Sequence, residues 1–385
     1  MILIRGISQR LIKKKRSKIM YKEKEIHEKI RLLIDSMINL KDEDGRYTID
    51  FGNGLLIDQI SFDFWEWISG VGMYGMMKYY RQTGDEYTLG IIKDWFERHL
   101  TPGMEADKNI NTMVQMLTLS YLYEETKDEK YLSYIEKWAT WLYKDLPRTA
   151  CGGFEHMTFG PRHYEEMWDD TLMMSAVTLA KIGILLDKKE YIEEAKYQFL
   201  VHTHYLADRI TGLWYHGWHC VEKHNYANAL WGRGNSWITI SIPELLDLLK
   251  LPEYDAFSRY MKLTLKNQIE SVAEYQSENG LWHTLIDHPE SYLESSATAG
   301  FTYGIFKAVN AGVVDGKYIQ TALKGVEAVI KCINPDGSLA QTSIGTGLSH
   351  SLNEYLNKPI APVPFGQAMG MLALCEYLEY IKNNA

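Results

Sequence analysis

The chain contains 385 residues, of which 46% are hydrophobic and 24% are charged, and these are ordinary globular proportions. Its formal net charge of -9 argues against a nucleic-acid partner, because binding to phosphates requires clustered lysine and arginine. No apolar stretch approaches the roughly 18 residues that a membrane span needs, and no secretory leader is recognisable. The sequence therefore predicts a cytoplasmic protein with neither a nucleic-acid nor a membrane partner.

A basic cluster, RLIKKKRSK, lies near the N-terminus, before the first amphipathic pattern. We expect residues 1–20 to be a disordered tail, or to precede a native start at Met20, and residues 21–385 to form a single domain. The four cysteines are far apart and lack the spacing of metal ligands. We expect them to be reduced and to serve as small hydrophobic side chains.

Runs that are apolar on nearly every side alternate along the chain with amphipathic runs. The first kind is typical of a buried helix and the second of a surface helix, such as the one whose face contains Leu132, Ile135, Trp138 and Leu142. Six buried runs are counted, at 66–82, 111–125, 170–186, 235–249, 296–311 and 365–381. An amphipathic run precedes each of them, starting with 22–40. The alternation predicts an all-α fold, an (α/α)6 barrel of six inner and six outer helices.

The loops between these helices contain most of the glycine, histidine and tryptophan clusters, and we expect them to gather at one mouth of the barrel. SFDFWEWISGVG supplies Trp65 and Trp67 at the first inner helix. KNINTM places Asn109 and Asn111 before the second inner helix, where capping is the alternative role. His156, in the glycine-rich GGFEHM loop, is a candidate to bind a substrate or to position an aspartate.

The motif EEMWDDTLMM places Asp169 and Asp170 side by side, directly before the third inner helix. Consecutive helical residues point about 100° apart, so the two side chains cannot have the same role. One would cap or pack outside, while the other projects into the cavity near Trp168 and Met174. Partial burial would raise the pKa of the inward carboxyl and make it a proton donor near neutral pH. The residues alone leave the choice between a helix cap and a catalyst open.

Two further motifs, GLWYHGWHC and ALWGRGNSW, follow the third pair of helices. His216 and Trp218 flank a glycine in the first motif, but the spacing of a zinc site is absent and we expect no metal. His202 and His204 fall in the preceding outer-helix pattern and are predicted to lie at the surface.

The glycines of ALWGRGNSW are expected to allow unusual backbone angles around Arg233, and Asn235 or Ser236 to cap the helix that follows. A guanidinium held between Trp231 and Trp237 can recognise a carboxylate or sugar hydroxyls. We therefore favour a binding role for Arg233.

The chain resembles glycoside hydrolase family 105, the unsaturated rhamnogalacturonyl hydrolases, which are related to the unsaturated glucuronyl hydrolases of family 88. The motifs that carry the resemblance are, in order, NINTMVQMLTLSYLYEET, GGFEHMTF, EMWDDTLMMSAVTLAKIG, GLWYHGWHC and LWGRGNSWITISIPELLDLL. The resemblance spans roughly residues 22–382 and implies an (α/α)6 barrel without a cofactor. It also implies hydration of the C4=C5 double bond that a polysaccharide lyase leaves in a nonreducing-end uronic acid, with release of the neighbouring sugar. The expected substrate is unsaturated galacturonyl-rhamnose from pectin.

By this resemblance, Asp170 is the acid/base that protonates C4 and then activates water for attack at C5. Substrate contacts are implied for ten further residues: Asn109, Asn111, His156, Trp168, Met174, His216, Trp218, Trp231, Arg233 and Trp237. One departure concerns the Asp that many members carry just before Ile-Asn of the first motif, where this chain has KNIN. An amide there can bond to a hydroxyl but cannot hold negative charge.

Three alternatives remain at this point. An epimerase or another (α/α)6 carbohydrate-active enzyme would use His156 and His216 as paired bases. A noncatalytic carbohydrate-binding protein would bind sugars without turnover. Within the family, the uronyl substrate could instead come from ulvan or a glycosaminoglycan.

Overall fold

The structure is a computed structural model that describes residues 20–50, 56–101, 106–160 and 162–384. The predicted tail, residues 1–20, lies outside the described residues except for Met20. The backbone amides of Met20 and Tyr21 both donate to the hydroxyl of Tyr377, at 3.1 and 3.2 Å. The first described residues are therefore attached to the last long helix of the chain.

The helices of the described chain alternate between two layers, as the sequence pattern predicts. The outer helices are α1 (Glu23–Met37), α3 (Glu86–His99), α5 (Glu129–Lys144), α7 (Lys189–Leu206), α9 (Ala256–Glu274) and α11 (Ile319–Cys332). The inner helices are α2 (Trp67–Thr83), α4 (Gln115–Thr126), α6 (Val177–Leu185), α8 (Gly232–Leu249), α10 (Ser295–Asn310) and α13 (Pro364–Asn384). A short helix, α12 (Leu352–Leu356), lies in the loop before α13.

The six inner helices form a closed ring, in which each packs against the next and α13 packs against α2. The outer helix α1 packs on α13, and the other five pack on the inner helix that precedes them. Closure depends on Gly75 of α2, where a Cβ atom would lie 3.1 Å from Cα of Ala368 in α13. The fold is the predicted (α/α)6 barrel.

Burial explains why the two kinds of helix could be told apart in the sequence. α13 is buried along most of its length, whereas α5 buries one face that includes Ile135, Trp138 and Leu142. Tyr131 completes that face, while Leu132 is only half-buried. None of the helices in the described ranges combines the length and apolar character needed to cross a membrane.

Three antiparallel ribbons of two strands lie in the loops that lead into the inner helices. They pair β1 (Thr48–Asp50) with β2 (Leu56–Asp58), β3 (Glu166–Trp168) with β4 (Gly217–His219), and β5 (Trp282–His283) with β6 (Leu293–Glu294). In the second ribbon Trp168 pairs with Gly217, so the loop that enters α6 is joined to the loop that enters α8. The second ribbon thus holds two loops together at one end of the barrel, whereas the other two ribbons each form within one loop.

Candidate active site

A cavity of about 310 Å³ lies at the end of the barrel where the inner helices begin. Its wall is built by the N-terminal ends of α2 and α8, the segments that enter α4 and α6, the first ribbon, and the 345–348 loop. Five predicted site residues line it: Asn111, His156, Trp168, Asp170 and Trp231. The loops therefore meet at one mouth, as the sequence predicts.

Asp170 faces this cavity, with 14% of its side chain exposed. Its Oδ1 has no hydrogen-bond partner among the described residues and lies 3.6 Å from Nδ1 of His156. Burial raises the pKa of Asp170 to about 7, although the nearby Arg233 acts to lower it. Near neutral pH this carboxyl is protonated in a large fraction of molecules, so it can act as an acid and then as a base.

The backbone after Asp170 is a π-helix, Leu172–Ala176, which joins α6. The amide of Val177 donates to the carbonyl of Leu172, five residues earlier, and the amide of Met174 donates to the carbonyl of Asp170 at 3.0 Å. The extra residue in such a turn changes the direction of the side chains before it, and π-turns are frequent at functional sites.

Asp169 points away from the cavity and is completely buried. Neither of its carboxyl oxygens has a hydrogen-bond partner among the described residues, and burial together with Asp170 raises its pKa well above the usual range. Its Oδ2 packs against Gly234 of α8, where a Cβ atom would lie only 2.2 Å away. The two aspartates thus occupy different environments, and only Asp170 faces the cavity.

The expectation of unusual backbone angles at Gly232 and Gly234 is wrong, because α8 begins at Gly232 and neither glycine has a positive φ. Glycine is needed at both positions because neighbouring atoms leave no space for a Cβ atom. The capping role expected for Asn235 or Ser236 is also wrong, because both lie inside the helix. The side chain of Asn235 instead bonds to the backbone of Trp214, accepting from its amide and donating to its carbonyl, each at 2.7 Å.

His156 and Trp168 form one wall of the cavity. Their rings are stacked with centroids 4.0 Å apart, and Nδ1 of His156 is hydrogen-bonded to Oγ1 of Thr171 at 2.7 Å. Burial and the neighbouring histidines lower the pKa of His156 well below its usual value, so the ring is neutral. A neutral His156 can exchange a hydrogen bond with a sugar or with Asp170 but adds no charge.

Six predicted contact residues do not line the cavity, and the expectation of direct contact is corrected for them. Asn109 is buried, and its Oδ1 accepts from the amides of Asn111 and Thr112, at 2.8 and 2.9 Å, which is the alternative capping role. Met174 belongs to the hydrophobic core. Trp218 stacks on Tyr205 of α7, with ring centroids 5.6 Å apart.

His216 and Trp237 lie behind aromatic residues of the wall. The ring of His216 is 4.4 Å from that of Trp231, and its Nδ1 is hydrogen-bonded to the hydroxyl of Tyr355 at 2.7 Å. Trp237 packs edge-on against Trp67, which lines the cavity, with centroids 6.3 Å apart. Both residues can support the wall, but neither reaches the cavity.

Arg233 is completely buried and binds the protein itself. Its Nη1 donates to Oγ of Ser343 at 2.6 Å and lies 3.3 Å from Oε1 of Glu294. Its Nη2 donates to the carbonyl of Ile344 at 2.8 Å and to Oγ1 of Thr346 at 3.0 Å. Because Thr346 lines the cavity, Arg233 holds part of the wall in place.

Sequence reasoning placed Trp67 at the first inner helix but did not single out several other residues of the wall, among them Asp58, Glu66 and His163. Glu66 could have been identified as a candidate, because it directly precedes the apolar run of an inner helix, as Asp170 does. In the 345–348 loop, the glycines were the only feature of the sequence that pointed to a functional loop. The surface position predicted for His202 is wrong, since this residue is buried beneath the 150–156 loop, whereas His204 is exposed as predicted.

Positive side chains are absent from the described part of the cavity wall, which contains no lysine or arginine. The wall instead includes the N-terminal ends of inner helices, where backbone dipoles favour negative charge. The described residues contain no group of three or more metal-ligating side chains that could hold a metal ion. The described wall therefore combines aromatic rings with a carboxyl group that can act as an acid, an arrangement suited to a sugar.

A cavity that combines aromatic rings with carboxyl groups able to transfer protons is suited to an enzyme that acts on carbohydrates. The chain belongs to Glycosyl Hydrolase Family 88, whose model matches residues 22–381. It is therefore an enzyme of the unsaturated rhamnogalacturonyl and glucuronyl hydrolase family, and the predicted resemblance is confirmed.

Similar proteins support this family. The unsaturated rhamnogalacturonyl hydrolase YesR of Bacillus subtilis (strain 168) is 29% identical over 318 residues, which cover 82% of this chain and 90% of YesR. A crystal structure of a possible family 105 member from Salmonella enterica serovar Paratyphi A has a TM-score of 0.94 and 47% identity, covering 99% of this chain and 100% of that one. A corresponding structure from Klebsiella pneumoniae has a TM-score of 0.92 and 44% identity, with the same coverage.

The family membership and the cavity geometry decide between the three classes of protein that the sequence left open: a hydrolase, an epimerase and a noncatalytic binding protein. The noncatalytic carbohydrate-binding protein is not supported, because the family consists of hydrolases. The epimerase is not supported either, because it needs two histidine bases in the cavity and His216 lies behind Trp231.

Proposed function

We propose that the chain hydrates the C4=C5 double bond of an unsaturated uronic acid at the nonreducing end of an oligosaccharide, with Asp170 as acid and base. The neighbouring sugar is then released. The observation that carries the proposal is the carboxyl group of Asp170, which faces the cavity and has one oxygen without a hydrogen-bond partner among the described residues.

In the first step the carboxyl of Asp170 gives its proton to C4, and positive charge develops at C5 and the ring oxygen. A water molecule then adds its oxygen to C5 while its proton passes to the Asp170 carboxylate, which restores the acid. The product is a hemiketal at C5. It opens by breaking the bond between C5 and the ring oxygen, and the exposed C1 hemiacetal then releases the neighbouring sugar. One carboxyl group serves both proton transfers.

We further propose that the substrate is unsaturated galacturonyl-rhamnose, which a polysaccharide lyase produces from pectin. The support for rhamnose as the leaving sugar is the name of YesR, an unsaturated rhamnogalacturonyl hydrolase. The cytoplasm stays the predicted location, and no cofactor enters the proposed steps.

The test is the Asp170→Asn variant, assayed by the ultraviolet absorbance of the enol ether, which disappears on hydration. A panel of lyase-generated disaccharides with different leaving sugars serves as substrate. We expect the wild type to act on the rhamnose-containing disaccharide with the highest kcat/KM. We expect the variant to lose at least about a thousandfold in kcat, because acid–base groups typically contribute 10²–10⁴-fold and here one group performs both transfers.

Asp247→Asn is the matched control, because it removes a carboxylate at the far end of α8 that lines a different cavity. Its kcat should equal that of the wild type. Circular dichroism and calorimetric titration should show that Asp170→Asn is folded and binds the disaccharide. Normal turnover by this variant would disprove the assignment of Asp170, and a wild type inactive on every unsaturated disaccharide would disprove the reaction.

A further inference from the structure

Glu66 is a second buried carboxyl group in the wall of the cavity, and the proposed proton transfers do not use it. It precedes α2 as its N-cap residue and is only 5% exposed. The amide of Trp67 donates to its Oε2 at 2.5 Å, and the side chain of Asn111 is hydrogen-bonded to the same carboxyl group. Its carbonyl accepts from Nε2 of Gln115 at 2.6 Å, which holds the backbone in place. The position of Glu66 is therefore well defined.

The surroundings of Glu66 differ from those of an ordinary helix cap. Asp85, the cap of α3, forms an ion pair with Arg31 at 2.7 Å, and hydrogen bonds from Thr88 together with Arg31 overcome its burial and lower its pKa. Glu66 forms no ion pair with the described residues, and burial raises its pKa to about 8 despite the hydrogen bonds from Trp67 and Asn111. Near neutral pH this carboxyl group carries a proton and can act as a hydrogen-bond donor.

Other titratable groups face the cavity with Glu66. Asp58 of β2 accepts from the amides of Ile60 and Ser61 at 2.8 and 2.9 Å, so its carboxylate already has donors. Asp170 raises the pKa of Glu66 further, and His156 is neutral. His163 pairs with Glu166, with Nδ1 3.3 Å from Oε2.

A substrate with a uronate group brings one more negative charge into this cavity. The described wall offers it no lysine or arginine, and an ionised Glu66 would repel it. A protonated carboxyl group can instead donate a short, charge-assisted hydrogen bond to a carboxylate. This contact would also raise the proton affinity of Glu66, because the substrate's charge favours the neutral form.

We propose that Glu66 contacts the substrate in its protonated form and donates a hydrogen bond to the carboxylate of the uronic acid. Glu66 is then a binding residue that makes the affinity dependent on its own proton. It supplies to the cavity a carboxyl group that does not come from the KNIN motif, where the chain departs from many relatives. The inference rests on the proposed function, since it requires an unsaturated uronic acid as substrate.

The test measures binding in the Asp170→Asn background, where turnover is blocked and the titration of Asp170 is removed. Calorimetric titration with the unsaturated disaccharide is carried out at several pH values on either side of 8. We expect Kd to be constant at low pH and to rise about tenfold for each pH unit above the pKa of Glu66, because the protonated fraction falls by that factor. In this background that pKa lies somewhat below 8, since the charge of Asp170, which raises it, is absent. Proton uptake on binding, read from the buffer dependence of the enthalpy, should appear over the same range.

Glu66→Gln in the same background keeps a hydrogen-bond donor that does not titrate. We expect its Kd at pH 7 to stay within about threefold of the parent and to lose the rise above pH 8. Glu66→Ala removes the donor and should weaken binding about ten- to hundredfold, as for a hydrogen bond to a charged group.

Glu376→Gln is the matched control, because burial also raises the pKa of Glu376, to about 7, but this residue lies toward the other end of the barrel. It should leave the pH dependence of Kd unchanged. His163→Gln tests whether the imidazole of His163 causes the pH dependence instead. We expect the Kd of this variant to rise above pH 8 as it does in the parent.

A Kd that does not change through pH 8, or a Glu66→Gln protein with the parent's pH dependence, would overturn the inference. A loss of binding by more than about tenfold in Glu66→Gln would do so too, since it would show that the ionised form is needed. If Glu66→Gln fails to fold, the pH dependence of the Asp170→Asn parent still decides. These outcomes are distinct from a failure of the proposed function, which appears as a wild type that does not hydrate the disaccharide.

Discussion

At the scale of single residues, the placement of the two aspartates depends on Gly234, a glycine of the distant helix α8. Gly234 of α8 packs directly on the carboxyl group of Asp169, which is buried and has no room to move. Asp170 follows immediately and leads into the π-helix. A shift of Asp169 would therefore be transmitted to the carboxyl group that faces the cavity.

We expect Gly234→Ala to destabilise the protein by about 1–3 kcal/mol and to reduce kcat. The new methyl group would lie 2.2 Å from Oδ2 of Asp169, and forced contacts in a packed core have costs of this size. Chemical denaturation and the absorbance assay measure the two effects. Gly90→Ala is the control, because Gly90 is a helical residue of α3 with nothing within 4 Å of a Cβ atom. It should stabilise the protein by about 0.5–1 kcal/mol and leave kcat unchanged. An unaltered kcat in Gly234→Ala would disprove the coupling between Gly234 and the site.

The sequence could predict the role of a site residue only where the evidence for that role lies close to the residue in the chain. The position of Asp170 directly before an apolar helical run is a local feature, and it singles out a carboxyl group that the structure finds at the cavity. Arg233 also stands out locally, between two tryptophans, but its partners lie 61–113 residues further along the chain. Sequence spacing does not reveal such partners. A binding role was therefore predicted for Arg233, which in the structure binds the protein itself.

At the scale of elements, the loop before α13 is held by two buried side chains, Arg233 and Glu294. Oε1 of Glu294 accepts from the amide of Ser343 at 3.0 Å. Arg233 donates to Ser343, Ile344 and Thr346 through both terminal nitrogens. A planar guanidinium can reach all three, whereas a lysine ammonium is a single point with three donors. The loop then contributes Thr346 and its neighbours to the cavity wall.

We expect Arg233→Lys to lower the free energy of unfolding by about 3 kcal/mol and to raise KM, because several buried acceptors lose their donors and the loop loosens. Urea denaturation and the pattern of KM against kcat test this. Arg148→Lys is the matched control: Arg148 donates to the carbonyls of Leu142, Tyr143 and Leu146, none of which lines the cavity. It should lower stability without a change in KM. If Arg233→Lys and Arg148→Lys have the same KM, then Arg233 does not position the cavity wall.

The elements differ in how clearly the sequence marks them. The all-round apolar runs predicted the inner helices to within a few residues, since continuous burial leaves a long and simple signal. The exception is the run at 170–186, which also includes the π-helix before α6. The start of α8 was missed by three residues because glycines inside a helix resemble a loop. The three ribbons, with strands of only two or three residues, are too short to show an alternation of polar and apolar residues. The pairing of β3 with β4 also joins two distant loops, so it depends on the barrel that brings them together.

At the scale of the whole molecule, the two ends of the barrel have opposite electrostatic roles. The inner helices begin at the cavity end, and the N-terminal ends of α2 and α8 lie in its wall, where their dipoles favour negative charge. Their other ends meet at a cluster of charged side chains around Glu244 of α8. Lys78 of α2 donates to both carboxylate oxygens, at 2.9 and 3.0 Å, and the hydroxyls of Tyr74 and Tyr303 donate to the same group. These contacts join α2, α8 and α10, and they lie about 18 Å along α8 from its first residue.

We expect Glu244→Gln to reduce stability by about 3–5 kcal/mol at neutral pH while kcat and KM stay unchanged, because it breaks a buried ion pair far from the cavity. Burial opposes the charged form, but Lys78, Lys307 and the two tyrosines lower the pKa of Glu244 to about 2. A carboxyl group with a lowered pKa stabilises the fold above its unfolded value of about 4.5, and this contribution is lost as the pH falls toward 2. The difference in unfolding free energy between wild type and variant should therefore be constant above about pH 5 and shrink below it. Denaturation curves over this range measure the difference. If the difference in unfolding free energy does not shrink in acid, or if the variant has an altered KM, then the stabilising end and the catalytic end of the barrel are not separate.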